Sequence, residues 1–275
     1  MQGRVTTMTS TRQKQILEHL NIQGQCTVDF LAETLEVSEM TIRRDLIALA
    51  SAGMIVRTHG GATPAESVLF EFSFLERRHH QRAAKDTIGA AAAELVPDGA
   101  SLILDSGTTT LAVARHLRGK RKLTVITTSL PIASVLQRHG NADILLLGGF
   151  LRKDSPDLEG PLTESNLSGL RADIAILGAD GIDGQGTAYS NSLNVAKLLG
   201  KAMSAAGHTY VVADSQKLGR ASLTAYGKLK DCAGLLTDGE IPATLLQQYR
   251  KLGISVTVAG RASAQPAAKQ AARAR

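Results

Sequence analysis

The 275-residue sequence predicts an α/β protein in two parts: a small helical head ending in a β-hairpin, then a larger, mainly parallel α/β body. Three observations predict it. Residues 11–52 carry three short helix patterns, each with a capping residue. Residues 54–62 read as a strand running into a Gly-Gly turn. From residue 82 onward short apolar runs alternate with helical stretches, the pattern of a parallel sheet with helices on both faces. The expected boundaries are 8–62 for the head, 63–81 for a linker, 82–260 for the body and 261–275 for a disordered basic tail.

In the head, Thr11 is a candidate cap for a helix to about Gln23, with Ile16, Leu17 and Leu20 on one face and Gly24 as its stop. A short strand is expected at Gln25–Thr27. Thr27 then caps a second helix with Phe30, Leu31 and Leu35 inward. Glu36-Val37 turns the chain, and Ser38 caps a third helix from Glu39 to Ala52, stopped by Gly53. Ile42, Leu46 and Leu49 fall at i, i+4, i+7 and form its buried face. That leaves Met40, Thr41, Arg43 and Arg44 on or beside the open face of the first turns. A recognition helix meets base edges and phosphates there. Arginine grips guanine with two bonds, and a threonine reads a base or a phosphate. The strand Met54–Thr58, with Arg57 and His59 near the Gly60-Gly61 turn, supplies a wing. Helix, helix, helix, wing is a winged helix-turn-helix, and its expected partner is double-stranded operator DNA.

Charge alone would not find this function. The net charge is +6, but Arg261, Lys269, Arg273 and Arg275 place +4 of it in the last fifteen residues. Residues 10–62 carry five Lys/Arg against six Asp/Glu. Cys26 and Cys232 are too few for a disulfide framework or a metal site and are expected as small core thiols. His79-His80 lacks further ligands at useful spacing, so no metal and no cofactor are expected. No apolar run is long enough for a membrane span and no signal segment is evident, so the expected location is cytoplasmic.

The stretch Ser38-Glu39-Met40-Thr41-Ile42-Arg43-Arg44-Asp45-Leu46, followed by Arg57-Thr58-His59-Gly60-Gly61-Ala62, resembles the signature of the DeoR family of bacterial transcriptional regulators. Thr58 stands where the family commonly has valine. The resemblance implies a cytoplasmic regulator, usually a repressor, with a C-terminal domain that senses a phosphorylated sugar.

After the join at Thr63–Ser67, Phe70, Phe72, Phe74 and Leu75 form an apolar cluster. Glu76–Arg82 is a charge run, expected as the solvated start of a helix. The body then predicts a helix at 82–96 and strands at 101–105, 123–127, 144–147, 174–177, 210–213, 233–237 and 255–258. Ligands of such sheets sit at the carboxyl ends of strands, often at a helix N-terminus. Five of those ends are polar or glycine-rich: Asp105-Ser106-Gly107-Thr108-Thr109-Thr110, Thr127-Thr128-Ser129, Gly148-Gly149, Ala179-Asp180-Gly181-Ile182-Asp183 and Asp214-Ser215-Gln216-Lys217. Together they point to one anionic, hydroxylated ligand.

The order Lys85, DSGTT at 105–109, TTS at 127–129, GAD at 178–180 and ADSQKLG at 213–219 is similar to the DeoR-family sensor domain, whose fold resembles ribose-5-phosphate isomerase. This resemblance implies that Ser106, Gly107, Thr108 and Thr109 hold the effector phosphate, with Lys85 as a further candidate and Asp105 as an effector-binding residue beside them. It places Thr128 and Ser129 along the sugar, and Asp180, Lys197 and Lys217 at its hydroxyls or at the closure of the site. The chain departs from the family at Thr128, commonly asparagine, and at Leu193–Ala196, where acidic residues are common. The alternative is a sugar-phosphate isomerase with a DNA-binding head. An isomerase needs a carboxylate base. The position before Gly178 that would carry it is Leu177, and no acid precedes Lys197. A regulator without catalytic residues is therefore expected, working as a homo-oligomer, a dimer or tetramer, on paired half-sites.

Overall fold

The computed structural model describes residues 10–52, 54–64, 74, 77–78, 80–153 and 155–260. The chain divides into two compact units, residues 1–75 and 76–275. The expectations for the tail, for Gly53 and for Phe70, Phe72 and Leu75 fall outside the described residues. Phe74 is described and is buried.

In the first unit helix α1 spans Thr11–Gln23, and its cap is Ser10 rather than Thr11. The Ser10 side chain accepts from Gln13 N while Gln13 returns a bond to Ser10 N, a reciprocal capping box that no single-residue preference registers. Strand β1 is Cys26–Thr27, and Thr27 caps α2, Val28–Thr34. Helix α3 runs Glu39–Ser51 from its Ser38 cap. Ile16, Leu20, Leu31, Ile42, Leu46 and Leu49 close one core among the three helices. Asp45, also buried, receives Arg12 Nε at 2.5 Å and Gln13 Nε2 at 3.2 Å, tying the start of α1 to α3.

The hairpin is β2, Ile55–Thr58, and β3, Gly61–Pro64, with β3 central between β1 and β2. It therefore extends through Thr63 and Pro64, which the sequence alone assigns to the join. Gly60 turns the chain at φ +82°. Gly61 is needed for a different reason: a Cβ there would stand 2.2 Å from the Cys26 carbonyl oxygen, which is backbone and cannot yield. Gly61→Ala is expected to destabilise the first unit by about 1–3 kcal/mol, because it forces β1 and β3 apart. Thermal melts and amide exchange of the full chain would show protection lost at residues 26–28 and 55–64, with the second unit unchanged.

In the second unit α4 spans Arg82–Glu94. Among the described residues its main sheet has seven strands, all parallel: β4 Ser101–Leu104, β5 Leu123–Thr127, β6 Ala142–Leu146, β9 Ala172–Gly178, β12 Ala206–Val212, β14 Gly234–Thr237 and β15 Val256–Val258. Their order is β15-β14-β12-β9-β4-β5-β6. All seven predicted strands are present. Helices α5 (Thr108–His116), α6 (Leu130–His139), α7 (Pro161–Leu167), α8 (Leu193–Ala205) and α9 (Ala243–Lys251) lie between them in sequence. Ile103, Ile126, Ala175 and Leu177 cluster with Leu167 of α7 and Leu199, Ala202 and Ala205 of α8 on one face. Their neighbours Leu102, Leu104, Val125, Ile174 and Ile176 are buried too and, by strand alternation, face the other way.

Two smaller sheets go beyond the predicted strands. An antiparallel ribbon joins β7 (Phe150–Leu151) to β8 (Leu158–Glu159). An antiparallel sheet joins β10 (Gly181–Ile182), β11 (Thr187–Ser190) and β13 (Thr224–Lys228).

The strand order positions the site. From β4 the chain builds outward through β5 to β6, then returns to the other side of β4 and builds through β9, β12, β14 and β15. The direction reverses between β4 and β9, and such a reversal opens a crevice at the carboxyl ends of the two strands.

Candidate functional site

The first unit presents α3 and the hairpin. Ser38 Oγ accepts Thr41 N at 3.3 Å and lies 2.9 Å from Thr41 Oγ1, which fixes the first turn. Met40, Arg43 and Arg44 are exposed while Ile42 between them is fully buried. Arg43 Nη2 pairs with Glu39 Oε2 at 2.9 Å, one turn earlier, with both side chains about half exposed. Arg57, His59 and Gly60 are exposed along β2 and its turn. The predicted DNA-facing residues thus divide between the start of one helix and one hairpin tip, and all but the half-buried Thr41 are exposed.

In the second unit the ends of β12, β9, β4 and β5 are neighbours at one edge. Asp105 sits at the reversal. Its Oδ2 accepts Gly178 N at 3.0 Å, joining the end of β4 to the end of β9. Burial, then the charges of Asp157 and Asp180, push its carboxyl up to about 6, against bonds from Ser106 and Gly178 that favour the charged form. Gly107 precedes α5, so the amides of Thr108 and Thr109 open that helix. Thr110 Oγ1 donates back to Gly107 O, and Ser106 Oγ donates to Asp157 Oδ2 at 2.7 Å. Asp180 Oδ2 accepts Asn191 N at 2.9 Å. Tyr226 donates its hydroxyl to Gly178 O at 2.7 Å, and burial holds that phenol well above its ordinary range.

The remaining expected residues are more dispersed. Thr128 and Ser129 are buried at the end of β5, but Ser129 Oγ is taken up in capping α6 through Ile132 N. Lys85 Nζ donates to the carbonyls of Arg77 and His80 at 2.5 and 2.6 Å. Burial brings its ammonium down to about 8, and its charged neighbours are Lys217, Asp214 and Arg77. Lys217 Nζ donates to Ala179 O at 2.8 Å, which places it at the end of β9. Lys197 is exposed on α8. Leu177, where an isomerase would carry its acid, is fully buried in the core.

Residues 12–68 match the DeoR-like helix-turn-helix domain, and residues 80–239 match the DeoR C terminal sensor domain. The chain belongs to the DeoR family. The glycerol-3-phosphate regulon repressor of Haemophilus influenzae is 33% identical over 88% of this chain and 94% of its own length. The lactose phosphotransferase system repressor of Lactococcus lactis subsp. lactis is 31% identical over 86% of this chain and 94% of its own. Among solved structures, ribose 5 phosphate isomerase A from Neisseria gonorrhoeae is 18% identical, with a TM-score of 0.37 over 49% of this chain and 52% of that one. As a DeoR-family protein the chain is a DNA-binding transcriptional regulator with a C-terminal sensor domain, and its relatives are named as repressors rather than enzymes. No described helix is long and apolar enough to cross a membrane.

Three site residues of this DeoR-family chain escape sequence reasoning. Asp157 lies fifty-one positions from the Ser106 it bonds. Arg152 stands beside Asp157, its Nη1 at 3.5 Å from Oδ2. Tyr226 lies on β13, whose polar sequence carries no strand signal. The one available cue is the Gly148-Gly149 strand end, which leads directly into the segment carrying Arg152 and Asp157.

Proposed function

We propose that the chain represses a carbohydrate catabolic operon from the cytoplasm, binding double-stranded operator DNA through α3 and the hairpin, and that a phosphorylated sugar or polyol held at Ser106–Thr109 releases it. The observation that supports this best is the crevice at the β4–β9 reversal. It combines the free amides at the start of α5, which suit an anion, with the carboxylates of Asp105 and Asp180, which suit hydroxyl groups. Thr128 and Lys217 flank it on the neighbouring strand ends. The names of two relatives, one for a glycerol-3-phosphate regulon and one for a sugar phosphotransferase system, agree with this ligand class. The effector binds one conformation of the sensor domain better than another, and the favoured conformation binds operator less well. Heads of this kind act in pairs on two half-sites, so the active form is a homo-oligomer, a dimer or tetramer.

The test is an operator titration against matched pairs of free and phosphorylated sugars and polyols. A phosphorylated member is expected to weaken operator binding about 5–150-fold, the usual range of such coupling, while its free counterpart does not. An equal response to both forms would count against an anion seat at Ser106–Thr109.

A further inference from the structure

The crevice poses an electrostatic problem for an anionic ligand. Asp105, Asp157 and Asp180 are close enough for the latter two to act on the ionisation of the first. The ammonium groups nearby are engaged, Lys85 by two carbonyls and Lys217 by Ala179 O. A phosphate at the start of α5 would meet the carboxylate of Asp157, which already holds the Ser106 hydroxyl.

Asp157 is only 2% exposed. Its Oδ2 is served by Ser106, while Oδ1 is buried with no hydrogen-bond partner among the described residues. An unbonded oxygen on a buried carboxylate disfavours that position, so the side chain is held there under-satisfied. Its counter-charge is Arg152, on the same ribbon, which also lies 3.9 Å from Glu159 Oε2 and is itself largely covered. A carboxylate seated on the serine beside a helix N-terminus, with a guanidinium against it, has the geometry of an anion site filled from within.

We propose that Asp157 is a built-in competitor for the anionic group of the effector, and that Arg152 is the cation that passes from Asp157 to that group. This rests on the effector reading above and deepens it. The two anions cannot share one seat, so the ligand displaces Asp157. The backbone around Asp157 is bonded to the end of β5, through Leu158 N to Thr128 O and Leu130 N to Pro156 O, and across the ribbon through Arg152 N to Asp157 O. Displacement is therefore transmitted to β7, whose Phe150 and Leu151 are 75% and 56% exposed.

The chain contains no tryptophan, so Phe150→Trp makes a single reporter on the ribbon, at a position exposed enough to accept it. Binding of inorganic phosphate and of glycerol 3-phosphate would be measured by calorimetry on the full chain, for the parent, Asp157→Asn, Asp157→Ser and Arg152→Gln. Both Asp157 variants are expected to bind the probes at least about tenfold more tightly, and Arg152→Gln about tenfold more weakly, the size of one charge-assisted bond. Phosphate is expected to shift the indole emission of the Phe150→Trp reporter chain, and Asp157→Asn to produce that shift without phosphate. Probe binding to the parent with no gain in either Asp157 variant would overturn the competitor while leaving the sensor reading intact. Binding of neither probe to any variant would remove the anion seat itself, and the proposal with it.

Discussion

Replacing Arg43 by alanine is expected to cost about 1–3 kcal/mol of specific operator binding and to relax base preference at one position of each half-site. The side chain is on the open face of α3, one residue beyond the fully buried Ile42, and the helix start is fixed by the Ser38 cap. Its pairing with Glu39 does not compete seriously. The pair is solvent-exposed, and such pairs contribute at most about 1 kcal/mol, so the guanidinium redeploys to a guanine edge at little loss. Glu39→Gln should accordingly leave specific affinity unchanged or raise it. Arg57→Ala, on the hairpin, should weaken cognate and scrambled sites alike and lower the salt dependence by about one phosphate contact. Gel shifts with both sites at two salt concentrations separate these outcomes. Equal loss on both sites for Arg43→Ala would move Arg43 from base reading to backbone contact.

What the sequence reveals and what it conceals follows from the range of each interaction. Ile42, Leu46 and Leu49 mark the buried face of α3 because a helix repeats its environment every three to four residues. The strands β4, β5, β9 and β14 are legible because strands buried on both faces must be largely apolar. The sheet β10-β11-β13 is not, since β10 is only two residues long and β11 and β13 are short and partly exposed, so they lack that compositional constraint. Strand order is equally hidden: nothing local in β9 says that it returns to β4 and not to β6. With the order goes the reversal that unites Asp105 and Gly178, and also Asp157, whose place on Ser106 depends on a two-residue ribbon. Thr11, in contrast, misleads at short range, because Ser10 forms a two-way box with Gln13 and takes the capping position itself.

Asp105→Asn is expected to stabilise the sensor domain at neutral pH and to weaken its response to effector. The carboxyl stands at about 6 because burial disfavours its charge and Asp157 and Asp180 repel it. Its ordinary value is 3.8. A folded-state value above the unfolded one gives stability that is complete below about 3.8 and is lost as pH rises through about 6. The shift corresponds to roughly 3 kcal/mol as an upper bound, at about 1.4 kcal/mol per unit. Asparagine removes the charge and keeps an oxygen for the Gly178 amide. The two proteins should therefore match at about pH 3 in denaturant titrations, and the variant should lead by about 2–3 kcal/mol at about pH 8. Comparing the two at each pH isolates this residue from Asp98, Asp173 and Asp183, whose carboxyls are held below their ordinary value and act in the opposite sense. A chain that retains so unfavourable a carboxylate at the reversal of its sheet is using it, here as an acceptor for ligand hydroxyls. The gain in stability should come with a loss of effector affinity of about tenfold, the worth of one charge-assisted hydrogen bond. A stabilised variant with undiminished effector affinity would place the hydroxyl contacts elsewhere, with Asp180 the next residue to test.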